Sequence, residues 1–241
     1  MDEEAVVNSV PAVEIENLRF SWAGKSPIIS VDEFKLLRGD SAFIKGPSGS
    51  GKSTLLNLLG GVVRPEQGKI RLLGKDISVL KATQIDHFRS DHIGFIFQQF
   101  NLLPYLSVLE NVLLPCRFSK RRSVQAEAKY GSLTDGAIQL LRQLGFSDAT
   151  IQMTHVMELS TGQQQRVAAA RALLGSPEII IADEPTSALD TEHRDLFIEL
   201  LIDQCKVVGS TLLFVSHDPF LESHFNRVEV LQAAEKGGYK L

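Results

Sequence analysis

Gly46-Pro47-Ser48-Gly49-Ser50-Gly51-Lys52-Ser53-Thr54 fits the pattern G-x-x-x-x-G-K-[ST], with Gly46, Gly51, Lys52 and Ser53 at the defining positions. Glycines at 46, 49 and 51 let the backbone wrap tightly, so that successive N–H groups and the start of the following helix converge on phosphate oxygens. Lys52 adds a mobile positive charge, and the Ser53 hydroxyl can reach a Mg²⁺ ion that also bridges phosphates. The flanks supply the setting this chemistry needs. Ser41-Ala42-Phe43-Ile44 reads as a strand before the loop, and Ser53-Thr54-Leu55-Leu56-Asn57-Leu58-Leu59 as a helix after it. Gly60-Gly61 is expected to stop that helix by supplying a positive φ. Strand, glycine loop and helix together predict a bound nucleoside triphosphate rather than a flexible turn.

Working outward, 241 residues with 44% hydrophobic content allow one large domain with a sizeable core. No run approaches eighteen consecutive apolar residues, so any membrane role has to go through a partner. Met1-Asp2-Glu3-Glu4 is acidic where a secretory leader would be basic, and the chain is expected in the cytoplasm. A net charge of −4 gives no global attraction to nucleic acid. The dense basic run Lys120-Arg121-Arg122, with Arg117 before it, is expected to be a solvated loop. Cys116 and Cys205 lack metal or redox spacing and are expected as small core residues.

Residues 1–11 read as a loose tail and 12–241 as a single domain. From Val13 to about Ile44, short β-type runs separated by turn residues such as Ala23-Gly24-Lys25 predict antiparallel strands leading into the phosphate loop. Gly68 to Gly74 reads as a further strand pair, and His92 to Phe97 as a strand running into Gln98. A helical subdomain is expected at about 105–165: Ser107 and Glu110 form a capping-box pattern, and Ala137 to Leu144 is a helix ending at Gly145. The runs Glu178 to Asp183 and Ser210 to Val215 are continuously apolar, as parallel strands buried on both faces should be, with a helix from about Thr191 to Cys205 between them. The tail from Ala233 to Tyr239 carries no readable functional signal.

Ile180-Ile181-Ala182-Asp183-Glu184 delivers two carboxylates to a strand's C-terminal end, where ligands sit in parallel α/β sheets. Asp183 suits Mg²⁺, and Glu184 can accept a proton from an attacking water as general base. Leu159-Ser160-Thr161-Gly162-Gln163 then leads into a helix. Ser160 and Gln163 make an S-x-x-Q capping box, which an ordinary helix start would explain, yet the same small-residue helix terminus suits a phosphate. Trp22, read alone, is a packing residue; Gln98, read alone, is a solvated loop residue after a strand, and His217, read alone, is not catalytic.

Taken together, these residues make the chain similar to the ATPase subunits of ATP-binding cassette (ABC) transporters, from about Val13 to Val230. The resemblance implies an α/β phosphate-loop NTPase core with a mostly parallel sheet, an N-terminal antiparallel β layer and an inserted helical subdomain. It matches the signature to Leu159–Gln163, the D-loop to Ser187-Ala188-Leu189-Asp190, the adenine-stacking aromatic to Trp22, the Mg²⁺-reaching glutamine to Gln98 and the γ-phosphate switch histidine to His217. ATP is then implied at Trp22 and residues 46–54, Mg²⁺ at Ser53, Gln98 and Asp183, and catalysis at Glu184, His217, Gln98 and Lys52. Signature residues Ser160, Thr161, Gly162 and Gln163 would serve the ATP of a second subunit, expected to be an identical copy.

Thr161 stands where the family usually has glycine, placing a Cβ where backbone approaches phosphate. Phe97 to Pro104 followed by Leu106 to Val112 is similar to the lipoprotein-release and macrolide-export group. That group implies a transmembrane permease subunit as partner, a place on the cytoplasmic face of the inner membrane, and no nucleic acid. The competing reading is a soluble ATPase of the same fold working in translation or DNA maintenance. Such chains usually carry tandem cassettes or a long coiled coil, and neither is present here.

Overall fold

A computed structural model describes residues 10–23, 27–148, 151, 155–187, 189–234 and 238–241. In chain order its elements are β1 (Val13–Ser21), β2 (Pro27–Leu36), β3 (Ser41–Lys45), α1 (Lys52–Leu59), β4 (Gln67–Leu72), β5 (Lys75–Asp76), α2 (Ala82–His92), β6 (Ile93–Ile96), α3 (Val108–Phe118), α4 (Lys120–Tyr130), α5 (Leu133–Gln143), α6 (Thr161–Leu173), β7 (Ile179–Asp183), α7 (Thr191–Val208), β8 (Thr211–Ser216), β9 (Arg227–Val230), β10 (Gln232–Ala233) and β11 (Tyr239–Lys240). The tail expected at 1–11 lies outside the described residues up to residue 9, as do Gly24 and Lys25 of the expected turn and Ala188 of the D-loop. The described chain falls into two units: that up to Arg89 together with that from Thr211 onward, and Ser90–Ser210.

In the first unit, β1 pairs antiparallel with β2 and β4 in a sheet ordered β10-β11-β2-β1-β4-β5. Val13, Ile15, Leu18 and Phe20 face the core, and the alternation skips a residue at Asn17. Asn17 has φ +49, and the β1–β4 register shifts between Glu16 and Arg19, so this is a bulge that restores apolar side chains to the inner face. Gly68 (φ +87) lies against it, where a Cβ would stand 2.4 Å from the Asn17 carbonyl oxygen. On the outer face Arg71 bridges Glu14 at 2.9 Å and Glu16 at 2.8 Å. The C-terminal segment, silent as sequence, folds back as β10–β11 and adds β11 parallel to β2 through Tyr239↔Ile29.

The same unit holds three parallel strands with β3 between β8 and β9. Ala42, Phe43 and Ile44 are fully buried, and all six residues of β8 are buried, as covered parallel strands require. Phe43, Phe214 and Phe225 form the aromatic centre, with ring centroids 5.2–6.0 Å apart. After α1, Gly60 stays helical at φ −73 and Gly61 alone takes the positive φ (+65).

The second unit contains the parallel pair β6–β7 and helices α3 to α7. The Ser107–Glu110 capping box forms in full at the start of α3. α5 ends at Gln143, with Gly145 at φ +84 just beyond. α7 continues past Cys205 to Val208, where Gly209 (φ +73) closes it. Both cysteines are buried, and desolvation drives the Cys205 thiol up to about 12. The basic run is not a solvated loop. It opens α4, Arg121 pairs with Glu178, and Arg122 is only 2% exposed. Arg122 donates to the carbonyls of Leu174 (2.8 Å), Ala172 (2.6 Å) and Arg171 (3.2 Å), capping α6 at its C-terminal end.

Candidate active site

In the first unit the strand register places the expected groups. Lys45 pairs with Ser216 across β3 and β8, so the glycine loop and His217 leave neighbouring parallel strands at the same carboxyl edge. Gly51 caps α1 in the left-handed region (φ +86) with no side-chain cap, and Gly49 also takes a positive φ (+80). A Cβ on Gly46 would stand 2.6 Å from Ser50 Oγ and 3.0 Å from Leu231 Cβ, and one on Gly51 would meet Ile28 at 2.9 Å. Lys52 is buried and donates from Nζ to the carbonyls of Gly46 (2.8 Å) and Pro47 (3.0 Å), which holds its charge over the loop. Ser50 Oγ is buried with no hydrogen-bond partner. A tight cradle with a lysine ammonium at its rim and an orphaned hydroxyl inside fits a polyphosphate. Ser53 and Thr54 lie on the first turn of α1. Trp22, just past the end of β1, is 38% exposed, its ring T-shaped to Phe20 at 5.1 Å.

In the second unit Ile96 pairs with Ala182 across β6 and β7. Asp183, the last residue of β7, and Glu184 therefore leave the same edge as Gln98. Glu184 has φ +44 and precedes Pro185. A left-handed non-glycine residue costs about 1–2 kcal/mol, and such strain concentrates where a side chain must be aimed. A turn from the Ser187 N–H to the Glu184 carbonyl (3.2 Å) holds it. Among the described residues no group of three or more His, Cys, Asp or Glu side chains could hold a metal, so a cation at one carboxylate would need oxygens from elsewhere, as Mg²⁺ usually does.

The signature segment forms its capping box completely. Ser160 Oγ accepts from the Gln163 N–H at 3.3 Å, and the Ser160 N–H donates to Gln163 Oε1 at 2.9 Å. Thr161 is the first residue of α6 and is exposed, and a Cβ on Gly162 would stand 3.5 Å from Leu189 Cδ2. The signature thus packs beside the D-loop, whose Asp190 caps α7 at the His193 N–H and also meets the His193 ring at 2.8 Å. Two residues escaped the sequence reading. Asn111, fully buried, accepts from the Leu103 N–H (2.8 Å) and donates to the carbonyls of Leu103, Leu106 and Ser107. Arg171 donates to the carbonyls of Phe100 (2.5 Å) and Asn101 (2.6 Å). Both hold the loop that follows Gln98, and their only signal in the sequence is a polar residue on an otherwise apolar helix face.

The family model described as ABC transporter matches residues 30–187. The chain belongs to that family. The lipoprotein-releasing system ATP-binding protein LolD of Cytophaga hutchinsonii is 38% identical over 214 residues, 88% of this chain and 93% of that one. The macrolide export ATP-binding/permease protein MacB of Rhodopseudomonas palustris is 36% identical over 90% of this chain, which spans 32% of that longer ABC protein. Among solved structures, the ATP-binding cassette MJ0796, dimeric and bound to ADP and Pi after hydrolysis, superposes with a TM-score of 0.76 at 34% identity, covering 94% of this chain and 96% of that one. This chain is accordingly an ATP-binding and ATP-hydrolysing subunit of an ABC transporter, related to the LolD and MacB proteins. The relatives support the transporter reading and not a soluble ATPase of translation or DNA maintenance.

Proposed function

We propose that this ABC ATPase powers a membrane permease of the lipoprotein-release or macrolide-export type from the cytoplasmic face of the inner membrane, as one of two identical subunits, without engaging nucleic acid. The observation that carries the reading is the strand-end geometry: in each unit the motif residues leave neighbouring parallel strands at their carboxyl edge.

Residues 46–54 cradle the phosphates and Trp22 takes the adenine face. Ser53, Asp183 and Gln98 would hold Mg²⁺. Hydrolysis of the β–γ phosphoanhydride, eased by the metal's charge, is the chemistry the bound nucleotide supplies. Glu184 orients water and takes its proton at a carboxylate oxygen. His217 donates toward the γ-phosphate, and Lys52 balances its charge. Ser160, Thr161, Gly162 and Gln163 complete the site of the second subunit, with Asp190 beside them. A γ-phosphate bound between two chains favours the closed dimer, and its loss favours opening, which is the differential affinity a conformational switch needs.

Support for a permease lies near the Gln98 loop. The isolated antiparallel bridge Ser107↔His155 joins the segments that carry Tyr105 and Met157, whose side chains are 74% and 63% exposed. Large apolar side chains exposed to solvent on joined segments suit a protein partner. Among the described residues no helix is long and apolar enough to cross a membrane.

The test is to trap Glu184→Gln with ATP and identify what co-purifies from detergent-solubilised membranes. Turnover should fall by about 10² to 10⁴ with ATP binding retained, and a multi-span protein with a large extracytoplasmic domain should be recovered. Recovery of ribosomes or DNA alone would overturn the proposal, and unchanged phosphate release would remove Glu184 from the mechanism.

A further inference from the structure

Between β6 and α3 the chain passes through Gln98 and Gln99 into two consecutive left-handed residues, Phe100 (φ +58) and Asn101 (φ +48). Neither is glycine, so the conformation is intrinsically unfavourable and persists only where its surroundings hold it. Local bonds contribute, from the Phe100 N–H to the Phe97 carbonyl (2.9 Å) and from the Asn101 N–H to the Gln99 carbonyl (2.6 Å). The holder of the two left-handed residues' carbonyls is remote in sequence. Arg171, 8% exposed in the last turn of α6, donates one guanidinium nitrogen to the Phe100 carbonyl and another to the Asn101 carbonyl. Successive carbonyls converge on one fork because the two residues are left-handed. A planar guanidinium reads such a pair, whereas a lysine ammonium on a flexible stem cannot span both in fixed geometry.

Burial drives the Arg171 pKa down to about 10, so the cation is kept at an energetic cost. Among the described residues its guanidinium meets backbone carbonyls and no carboxylate. An apolar side chain of the same length would fill the space without that cost, which argues that the two bonds are what matters. The C-terminal end of α6 is held as well. Arg122 caps its C-terminal carbonyls, and Gly175 lies so close that a Cβ there would be 2.5 Å from that of Arg122. α6 runs unbroken from Thr161 to Leu173, with the signature at its N-terminus and the Gln98 loop attached in its last turn.

We infer that Arg171 is a positioning residue that ties the Gln98 loop to the signature helix, so that the setting of Gln98 and the placement of Ser160–Gln163 change together. The inference rests on the roles proposed above for Gln98 and the signature.

Amide hydrogen exchange on the whole chain without nucleotide tests the tie directly. In Arg171→Lys, residues 98–103 should exchange about 10-fold faster or more, while 162–169 and β3 are unchanged. Arg171→Met, which removes both bonds but keeps the volume, should do the same and unfold within a few degrees of wild type. Unaltered exchange at 98–103 in both variants overturns the inference. A Mg²⁺ titration of ATPase activity tests the consequence. Arg171→Lys should raise the KM for Mg²⁺ about 10-fold, the usual effect of disturbing a group that orients a metal ligand, with the KM for ATP unmoved. Adding Arg171→Lys to Gln98→Ala should have little further effect. If the two effects multiply instead, Arg171 acts elsewhere and the inference fails. If Gln98→Ala alone leaves the KM for Mg²⁺ unmoved, it is the metal role of Gln98 that fails, and the exchange result still decides whether Arg171 holds the loop.

Discussion

Two loops in this ATPase are held in shape by opposite means. The phosphate loop keeps its form through its own residues: Gly49 and Gly51 take the positive φ values, the Ser50 N–H closes a turn on the Pro47 carbonyl at 3.1 Å, and Lys52 folds back on Gly46 and Pro47. The Gln98 loop has no glycine at its left-handed positions and is held by Arg171 and by Asn111 from another helix. A loop built from glycine and neighbours within a few residues is rigid wherever it is placed. One held by distant side chains moves when they move. The first arrangement suits a cradle that must always fit the same anion, the second a contact that has to report on its surroundings.

The comparison is broken most forcefully at Gly46. Gly46→Ala drives a methyl into Ser50 Oγ and Leu231 Cβ, and a displaced phosphate cradle should lower turnover by about 10²-fold, with stability falling about 1–3 kcal/mol. Near-normal ATPase rates in that variant would show that the loop can adjust and is not locally rigid. Asn111→Ala attacks the other loop. It strips partners from the Leu103 N–H and the Leu103 and Leu106 carbonyls, and urea unfolding should show a loss of about 2–3 kcal/mol. A loss below about 0.5 kcal/mol, the ordinary scatter of surface changes, would mean the loop does not depend on this anchor.

Smaller effects sharpen the contrast. At the start of β7, burial pushes the Glu178 carboxyl up, but the hydrogen bond and charge of His92, with Arg121 nearby, outweigh it and hold the pKa below the ordinary glutamate value. A depressed carboxyl pKa contributes stability that is present above the unfolded-state pKa and is lost as pH falls through the lower folded-state value. The urea midpoints of wild type and Glu178→Gln should therefore differ at pH 7 and converge on acidification below the glutamate range; a gap that stays constant would remove this cluster from the pH response. Thr161→Gly should have the smallest effect. The side chain is exposed on the first turn of α6 and the Ser160–Gln163 box holds without it, so ATPase activity should stay level or rise. A large fall in kcat would assign the hydroxyl a direct role.

The same contrast explains what could be read in the residues beforehand. The helix starts at Ser107 and Ser160 were legible because a capping box is complete within four residues. The parallel strands were legible because burial on both faces leaves no polar alternation. Lys120-Arg121-Arg122 misled, because a charge run looks alike whether water or backbone carbonyls receive it; Arg122 goes inward only because α6 ends nearby with unpaired carbonyls. The C-terminal β10–β11 hairpin was missed since its strands are two residues each and gain stability only by extending a sheet built from the N-terminus.

By itself the sequence determined the glycine loop, the caps, the carboxylates at the end of β7 and the family, because each is written in residues a few positions apart whose chemistry allows little else. Only the tertiary structure decided that Arg171 and Asn111 hold the Gln98 loop, that Arg122 is buried, and that Glu184 sits in a strained left-handed conformation. Those depend on which carbonyls and side chains the fold brings within hydrogen-bonding distance across tens of residues, and a residue's identity does not record that.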